Sequence, residues 1–489
     1  MTLEALLTFI GILLAVLAIV RPVQRHSLSL FVPAWRLGAA ILLSLVLLIC
    51  RDAPFGVSPP FGWPLPIVLF GLTVGAFLIP VGAALWSWAS WHQAKLTKTK
   101  IGRVEKVFQA ALREREFDEV ERIVRKNQER LEQLPASGAS VLFHPAMVAA
   151  LADSHSLVHL ELLANMQFLR SLENRHAAVD VVVRELLRSN VSPLRSAVVS
   201  RYGGLEYLIY PASERALMEK TFQHLEWYLE ASAHYPLTIS AVEVLRSGKL
   251  DAVYNDVGRD YEATQGVSAR SQCPIYLAAK TEVLAIEATL EKRVEKDFYA
   301  TDLWDIFRRV HERSTFDQSV WENSLSNHEF PTPYAYLLYV ITGDLYDLSA
   351  KALEKATSNS APLRVEGPGQ VARALALTWS LCVWNIAGSQ GHVGPEFRKH
   401  VIEQYLLFVL ALGWQPSEIY VGPVGDKVEG LHVWRDLFLS ELQARFASGD
   451  SLERESLKDA IASLDQGKRH VFEGHTWLKE KLLGNLPIC

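Results

Sequence analysis

Three apolar runs near its N-terminus constrain this 489-residue chain more than any other feature. Leu3 to Val20 is apolar apart from Glu4 and Thr8, and ends at Arg21-Pro22. Leu37 to Cys50 closes on Arg51-Asp52, and Leu65 to Trp86 is followed by Trp88 and Trp91. A backbone in hydrocarbon has no water to bond, so a crossing segment must satisfy its own N–H and C=O groups as a helix. That takes about 20 apolar residues. The first and third runs reach this length. The second does so only if Phe31 to Trp35 join it, with Arg36 reaching toward the headgroups. Three transmembrane helices are therefore expected, at 3–20, 31–50 and 65–86. A cleaved signal peptide describes the first run poorly, because Glu4 and no Lys or Arg precedes it and it ends in Val20-Arg21-Pro22.

Basic residues near the spans set orientation. None precedes the first run, and Arg21, Arg25 and Arg36 follow it. Only Arg51 lies in the next loop, and Lys95, Lys98, Lys100, Arg103 and Lys106 follow the third run. The alternation matches three spans with the N-terminus outside and the remainder cytoplasmic, most simply in a bacterial inner membrane. Gly71 and Gly75 stand four apart in the third run, and Gly11 and Ala15 do so in the first. Small residues at this spacing let helix backbones approach, within one chain or between copies in a homo-oligomer. The spans lack the polar stripe of a transport pathway, which argues against transport.

From His92 onward the apolar residues recur at helical spacing, and no βαβ rhythm appears. The expected fold is all-α: a membrane anchor over 1–91, a basic collar and helical stalk over 92–134, and cytoplasmic helical subdomains over 135–270 and 271–489. Within the stalk, Val104, Val107, Phe108, Ala111, Leu112, Val120, Ile123, Val124 and Leu131 share one stripe. Tyr334–Thr342 and Leu345–Thr357 read as a helical pair turning at Gly343-Asp344, so an irregular helical-repeat solenoid is a further expectation. Pro135–Ser140, Gln265–Pro274 and Ser358–Gly369 are the candidate breaks.

Charge divides the chain further. The net −5 contains +2 over 1–91 and +4 over 92–106, leaving −11 for 107–489. The collar suits anionic headgroups and the acidic remainder argues against a nucleic-acid partner. Cys50, Cys273, Cys382 and Cys489 form no CxxC pair, and cytoplasmic thiols stay reduced.

Sites for chemistry are sparse, and no catalytic residue, cofactor or metal is assigned. His155 and His159 stand four apart with Glu161 nearby, flanked by His144 and His176, but the order of a zinc-protease helix is absent. Asp251, Asp256 and Asp260 form one acidic turn, and Asp344 and Asp347 another, which ordinarily cap helices. Gly388, Gly391, His392 and Gly394 form a loop whose N–H groups could hold an anion. Gly367-Pro368-Gly369 and Gly422-Pro423 resemble it in composition, and helix ends followed by Pro account for all three. Trp304, Trp321, Trp379, Trp384, Trp414, Trp434 and Trp477 read as core anchors. The first expectation is a non-enzymatic scaffold, sensor or effector that meets protein partners beside the bilayer, in its sharper form a bacterial defence or toxin-type membrane effector. The rival is a membrane-tethered enzyme or ligand-binding protein with a small-molecule or nucleotide site at the late Gly-Pro loops.

Overall fold

The computed structural model describes residues 21–32, 34–52, 65–93, 95–192, 226–231, 236–256, 273–316, 332–357, 367–389, 391–413, 430–447 and 451–467, with Gly11 and Leu482. Among them every regular element is helical and none is a strand. The chain divides into two units, Met1–Glu185 and Leu186–Cys489.

Unit 1 opens with α1 (Pro22–Phe31), whose proline lies in the first turn where its fixed φ suits a helix. It stops because Pro33 follows: the residue before proline is pushed out of the helical region, and Val32 is extended at φ −114° and ψ 108°. This corrects the expected second span. Phe31 and Val32 do not extend the apolar run but are buried at the end of α1. The next helix, α2 (Ala34–Asp52), holds an apolar stretch of only Gly38–Arg51. Its neighbour α3 (Leu65–Gln93) is the one helix among the described residues long and apolar enough to cross a membrane. Of the three expected spans, then, only the third meets that test. The first lies outside the described residues apart from Gly11.

α2 and α3 pack side by side and antiparallel. Arg36 at the start of α2 reaches the ring of Trp86 near the end of α3, while Leu48 and Ala76 bury each other further along. Buried or half-buried hydroxyls in this pair bond back to their own helix, Ser44 to the Ala40 carbonyl and Thr73 to that of Leu69, both at 2.8 Å.

The stripe expected as one stalk is folded back on itself. α4 (Lys98–Glu114) ends at Arg115, whose left-handed φ of 57° lets its N–H and that of Glu116 bond the Ala111 carbonyl. α5 (Asp118–Asn127) and a 3-10 turn (Gln128–Gln133) follow. The turn brings Val104, Val107 and Phe108 together with Val120, Ile123 and Val124 in one buried core, which a straight helix would leave in water. α1 packs on α4. The unit continues through α6 (Ala136–Leu142), α7 (Pro145–Asp153), α8 (Val158–Ala164), α9 (Met166–Ser171) and α10 (Arg175–Arg188), which crosses the division.

Unit 2 begins with α11 (Glu226–Ala231), α12 (Pro236–Ser247) and α13 (Asp251–Tyr254), linked in part by a left-handed Gly248 at φ 64°. α14 (Pro274–Lys292), α15 (Phe298–Arg313) and α16 (Pro333–Thr357) come next. Then follow α17 (Gln370–Ala387), α18 (Pro395–Gly413), α19 (Leu431–Ala447) and α20 (Ser451–Gly467). The Gly343-Asp344 turn is absent, because α16 runs through it. An internal glycine costs a helix only about 1 kcal/mol, less than the packing of the flanking Ile341, Leu345 and Leu348 returns.

α17 is central, packed by α15, α16, α18 and α19. Its Trp379 is wholly buried, with ring centroids 4.7 Å from Tyr405, 5.2 Å from Phe408 and 6.2 Å from Phe438. In a solenoid each repeat touches only its neighbours, so a helix surrounded on several sides lends that expectation no support.

Candidate functional site

The last four carbonyls of a helix have no partner within it. At the end of α3 those of Trp91 and His92 are met by side chains of α5. Arg122 donates to the Trp91 carbonyl at 2.6 Å and to that of His92 at 3.4 Å, and Lys126 also donates to His92. Just beyond, the Leu96 carbonyl accepts from Arg130 and its N–H donates to Asn127 Oδ1 at 2.7 Å. Cations suit this position because the helix dipole makes it negative.

The same Arg122 binds Glu119 through two nitrogens, with Nε 2.9 Å from Oε2, and lies 5.0 Å from the Trp91 ring centroid. Ser27 of α1 completes the group. Its hydroxyl donates to Glu119 and accepts from Trp91 Nε1 at 3.1 Å and from Arg122 at 3.3 Å. Ser27 is fully buried and Glu119 is 8% exposed, so this carboxylate relies on its partners rather than on water. Three helices that are distant in sequence thus converge on one guanidinium at the end of the apolar helix. Sequence reading missed this joint. The tryptophans marked the boundary of the run, but nothing local pairs residue 27 with residues 91 and 119.

The expected packing glycines separate. A Cβ on Gly75 would lie 3.5 Å from Leu47 of α2, so Gly75 faces the neighbouring helix. Gly71 is exposed with open space before it, as is Gly11, and Ala15 lies outside the described residues.

The histidines do separate work. His155 occupies a left-handed turn at φ 59°, outside the helix that carries His159. His159 is buried on α8 and bonds the Leu142 carbonyl at 3.0 Å, with burial pushing its pKa down to about 4. His144 caps α7 and His176 lies 3.6 Å from Asp180. Among the described residues no three metal-ligating side chains come together.

In unit 2 the candidate anion loop is tied to neighbouring segments of the chain through its carbonyls and the His392 ring. The Gly391 carbonyl accepts from the Phe316 N–H at 2.8 Å, and His392 Nδ1 lies 2.6 Å from the Ser314 carbonyl. The Ser314 hydroxyl donates back to the His392 carbonyl at 2.8 Å, and Gly394 bonds forward to Arg398 at the start of α18. Gly388 packs so closely on Glu453 that a Cβ would come 2.8 Å from its carboxylate, which repels an anion. At the Gly367-Pro368-Gly369 loop the first N–H of α17 already binds Glu295 at 2.6 Å. Gly422-Pro423 lies outside the described residues, as do Trp321, Trp414 and Trp477.

Of the acidic turns, Asp251 accepts from Arg313 and from the Tyr334 hydroxyl, both at 3.0 Å, and so joins α13, α15 and α16. Asp344 is interior rather than on a turn. Lys280 of α14 holds both of its oxygens, at 2.5 and 2.6 Å, yet burial outweighs the lysine and lifts the carboxyl to about 6. Asp302 on α15 is buried too. Burial, then Asp305, raises its pKa to about 7, and burial, Glu282 and Asp302 raise that of the nearby Tyr299.

Compared with known proteins, the chain matches no family model, no curated protein and no solved structure.

Proposed function

We propose that the protein is a membrane-anchored helical scaffold or effector that acts through protein partners at the cytoplasmic face. The observation that carries this reading is the joint of Ser27, Trp91, Glu119 and Arg122. It ties an apolar helix, of whose membrane-length stretch only 11% is buried, to a folded helical unit. A core helix of a soluble protein is mostly covered. α3 instead leaves Ile67, Phe70, Phe77, Leu78 and Leu85 exposed, as lipid contact requires.

The finer topology has its own support. Arg21 lies 3.6 Å from Glu116, and Lys100 donates to the Phe31 carbonyl at 3.2 Å, so residues 21–31 and 98–122 share one side of the α2–α3 pair. Those segments carry Arg21, Arg25, Lys98, Lys100, Arg103 and Lys106, the basic residues flanking the apolar helices, which supports a cytoplasmic placement of that side. With nineteen residues α2 is about 28 Å long, enough to cross beside α3 with Arg36 and Arg51 at opposite headgroup levels. The run 3–20 would then be the remaining span, with the N-terminus outside. The rival reading, an enzyme or nucleotide site at the late loops, is weakened by Glu295, which already takes the first N–H of α17, and by the Glu453 carboxylate lying against Gly388, which repels an anion.

Forced expression of the full chain in a bacterium tests the reading. The protein should resist alkaline extraction from membranes, and a C-terminal fluorescent fusion should light. Loss of membrane potential on expression would select effector over scaffold. A soluble product, or a specific thermal shift with a nucleotide or metal, would overturn the proposal.

A further inference from the structure

A group of like charges stands at the aqueous end of the anchor, within unit 1. Arg36, in the first turn of α2, lies 4.7 Å from the Trp86 ring centroid and 5.3 Å from that of Trp35. Lys100, in the first turn of α4, lies 5.8 Å from the Phe31 ring, and Arg103 is exposed one turn further on. Burial, then Arg36, then Arg103 lower the pKa of the Lys100 ammonium, so both arginines bear on the lysine between them. Among the described residues no carboxylate pairs with any of them, although Arg21, Arg122 and Arg125 in the same unit pair with Glu116, Glu119 and Glu121. Neither α2 nor α4 has an acidic residue in its first turn, so the dipoles of both add to the positive potential instead of offsetting it. Like charges held together without a counter-charge are unfavourable unless an anion joins them. The flanking faces are apolar and open: Trp35 is 68% and Trp86 43% exposed. Tryptophan rings favour the level where headgroup meets hydrocarbon.

We propose that Arg36, Lys100 and Arg103 form a binding site for the phosphate of an anionic phospholipid, with Trp35 and Trp86 against its glycerol and upper chains. The site rests on the membrane reading above and adds the ligand to it. A free phosphate would use the three charges alone, whereas an amphiphile also covers the two rings.

The test uses the full chain in bilayers of phosphatidylcholine with a minor fraction of phosphatidylglycerol, extracted gently so that bound lipid can be quantified. Wild type should retain phosphatidylglycerol above its bulk fraction. Replacing Arg36, Lys100 and Arg103 together by Gln should lower that preference about tenfold, while the same change at Lys95, Lys98 and Lys106, which removes equal charge, should leave most of it. Arg103→Gln alone, at an exposed side chain without a hydrogen bond or ion pair, should lower it about threefold and guards against misfolding of the triple variant. Equal losses in the two triple variants would overturn the site in favour of diffuse charge. An unchanged preference in the site variants would overturn it as well, and so would displacement of the lipid by millimolar inorganic phosphate, which would make the ligand a soluble one. A wild type that resists alkaline extraction but shows no preference sinks the lipid site alone. One that washes off the membrane sinks the membrane reading first.

Discussion

Arg122 donates to the main-chain carbonyl of Trp91 at 2.6 Å while its guanidinium lies 5.0 Å from the Trp91 ring centroid. One side chain therefore grips both the backbone end and the side chain of the final turn of α3. Because it also neutralises a nearly buried Glu119, its loss leaves an unpaired carboxylate at the joint. Arg122→Ala should cost about 3–5 kcal/mol, and Arg122→Lys should recover only part, since an ammonium lacks the fork that meets Glu119 and the carbonyl together. Thermal unfolding of the purified full-length protein reads this. A loss under about 1 kcal/mol for the alanine variant would mean that the joint is not holding the helices.

Lys280 and Asp344 predict a different pattern. Each single change, Lys280→Met or Asp344→Leu, strands a buried charge and should destabilise unit 2 by about 3–5 kcal/mol. The double change removes both charges and should be far milder than the sum. Additive losses in a double-mutant cycle would contradict the pairing.

Asp302 carries a pH signature. Its carboxyl is raised from 3.8 to about 7 in the fold, so the folded state holds a proton that the unfolded chain releases. The resulting stability is complete below pH ~4 and is lost as pH rises toward ~7, with a slope of at most about 1.4 kcal/mol per pH unit. Asp302→Asn should therefore gain on wild type between pH 5 and pH 8. His159 and His311 act in the opposite sense. Burial lowers both to about 4, with His392 adding to the shift of His311, so their contribution is lost as pH falls from 6.5 toward 4. Melting curves of His159→Gln and Asp302→Asn across that range should diverge from wild type in opposite directions, and parallel curves would refute the assignments.

The two glycines of α3 should differ when enlarged. Gly75→Leu forces side-chain atoms against Leu47 and should disrupt the α2–α3 pair, as measured by cross-linking of cysteines placed across it. Gly71→Leu meets open space and should leave that pair intact. If copies of the chain associate through this small-residue face, Gly71→Leu is the variant that reduces the oligomer on blue native gels.

The apolar runs, the charge alternation and the helical period were legible because each is local. A run of residues without charge is apolar whatever surrounds it, and a 3.6-residue stripe needs only its own neighbours. Hence the all-helical composition and the apolar α3 follow from the sequence alone. The misreadings have two causes. Pro33 ends α1 at Phe31, two residues before it, so an apolar stretch that reads as continuous is divided between the end of α1 and a shorter α2. At Gly343-Asp344 a local turn signal gave way to a lysine on another helix, sixty-four residues away, that stabilises the carboxylate in place. The joint of Ser27, Trp91, Glu119 and Arg122, and the cluster of Arg36, Lys100 and Arg103, exist only once α1, α2, α3, α4 and α5 are packed. Sequence by itself determined that the chain is helical and where its apolar runs lie. Tertiary structure decided which charges meet, because partners separated by tens of residues are selected by packing and desolvation, and neither leaves a periodic trace in the chain.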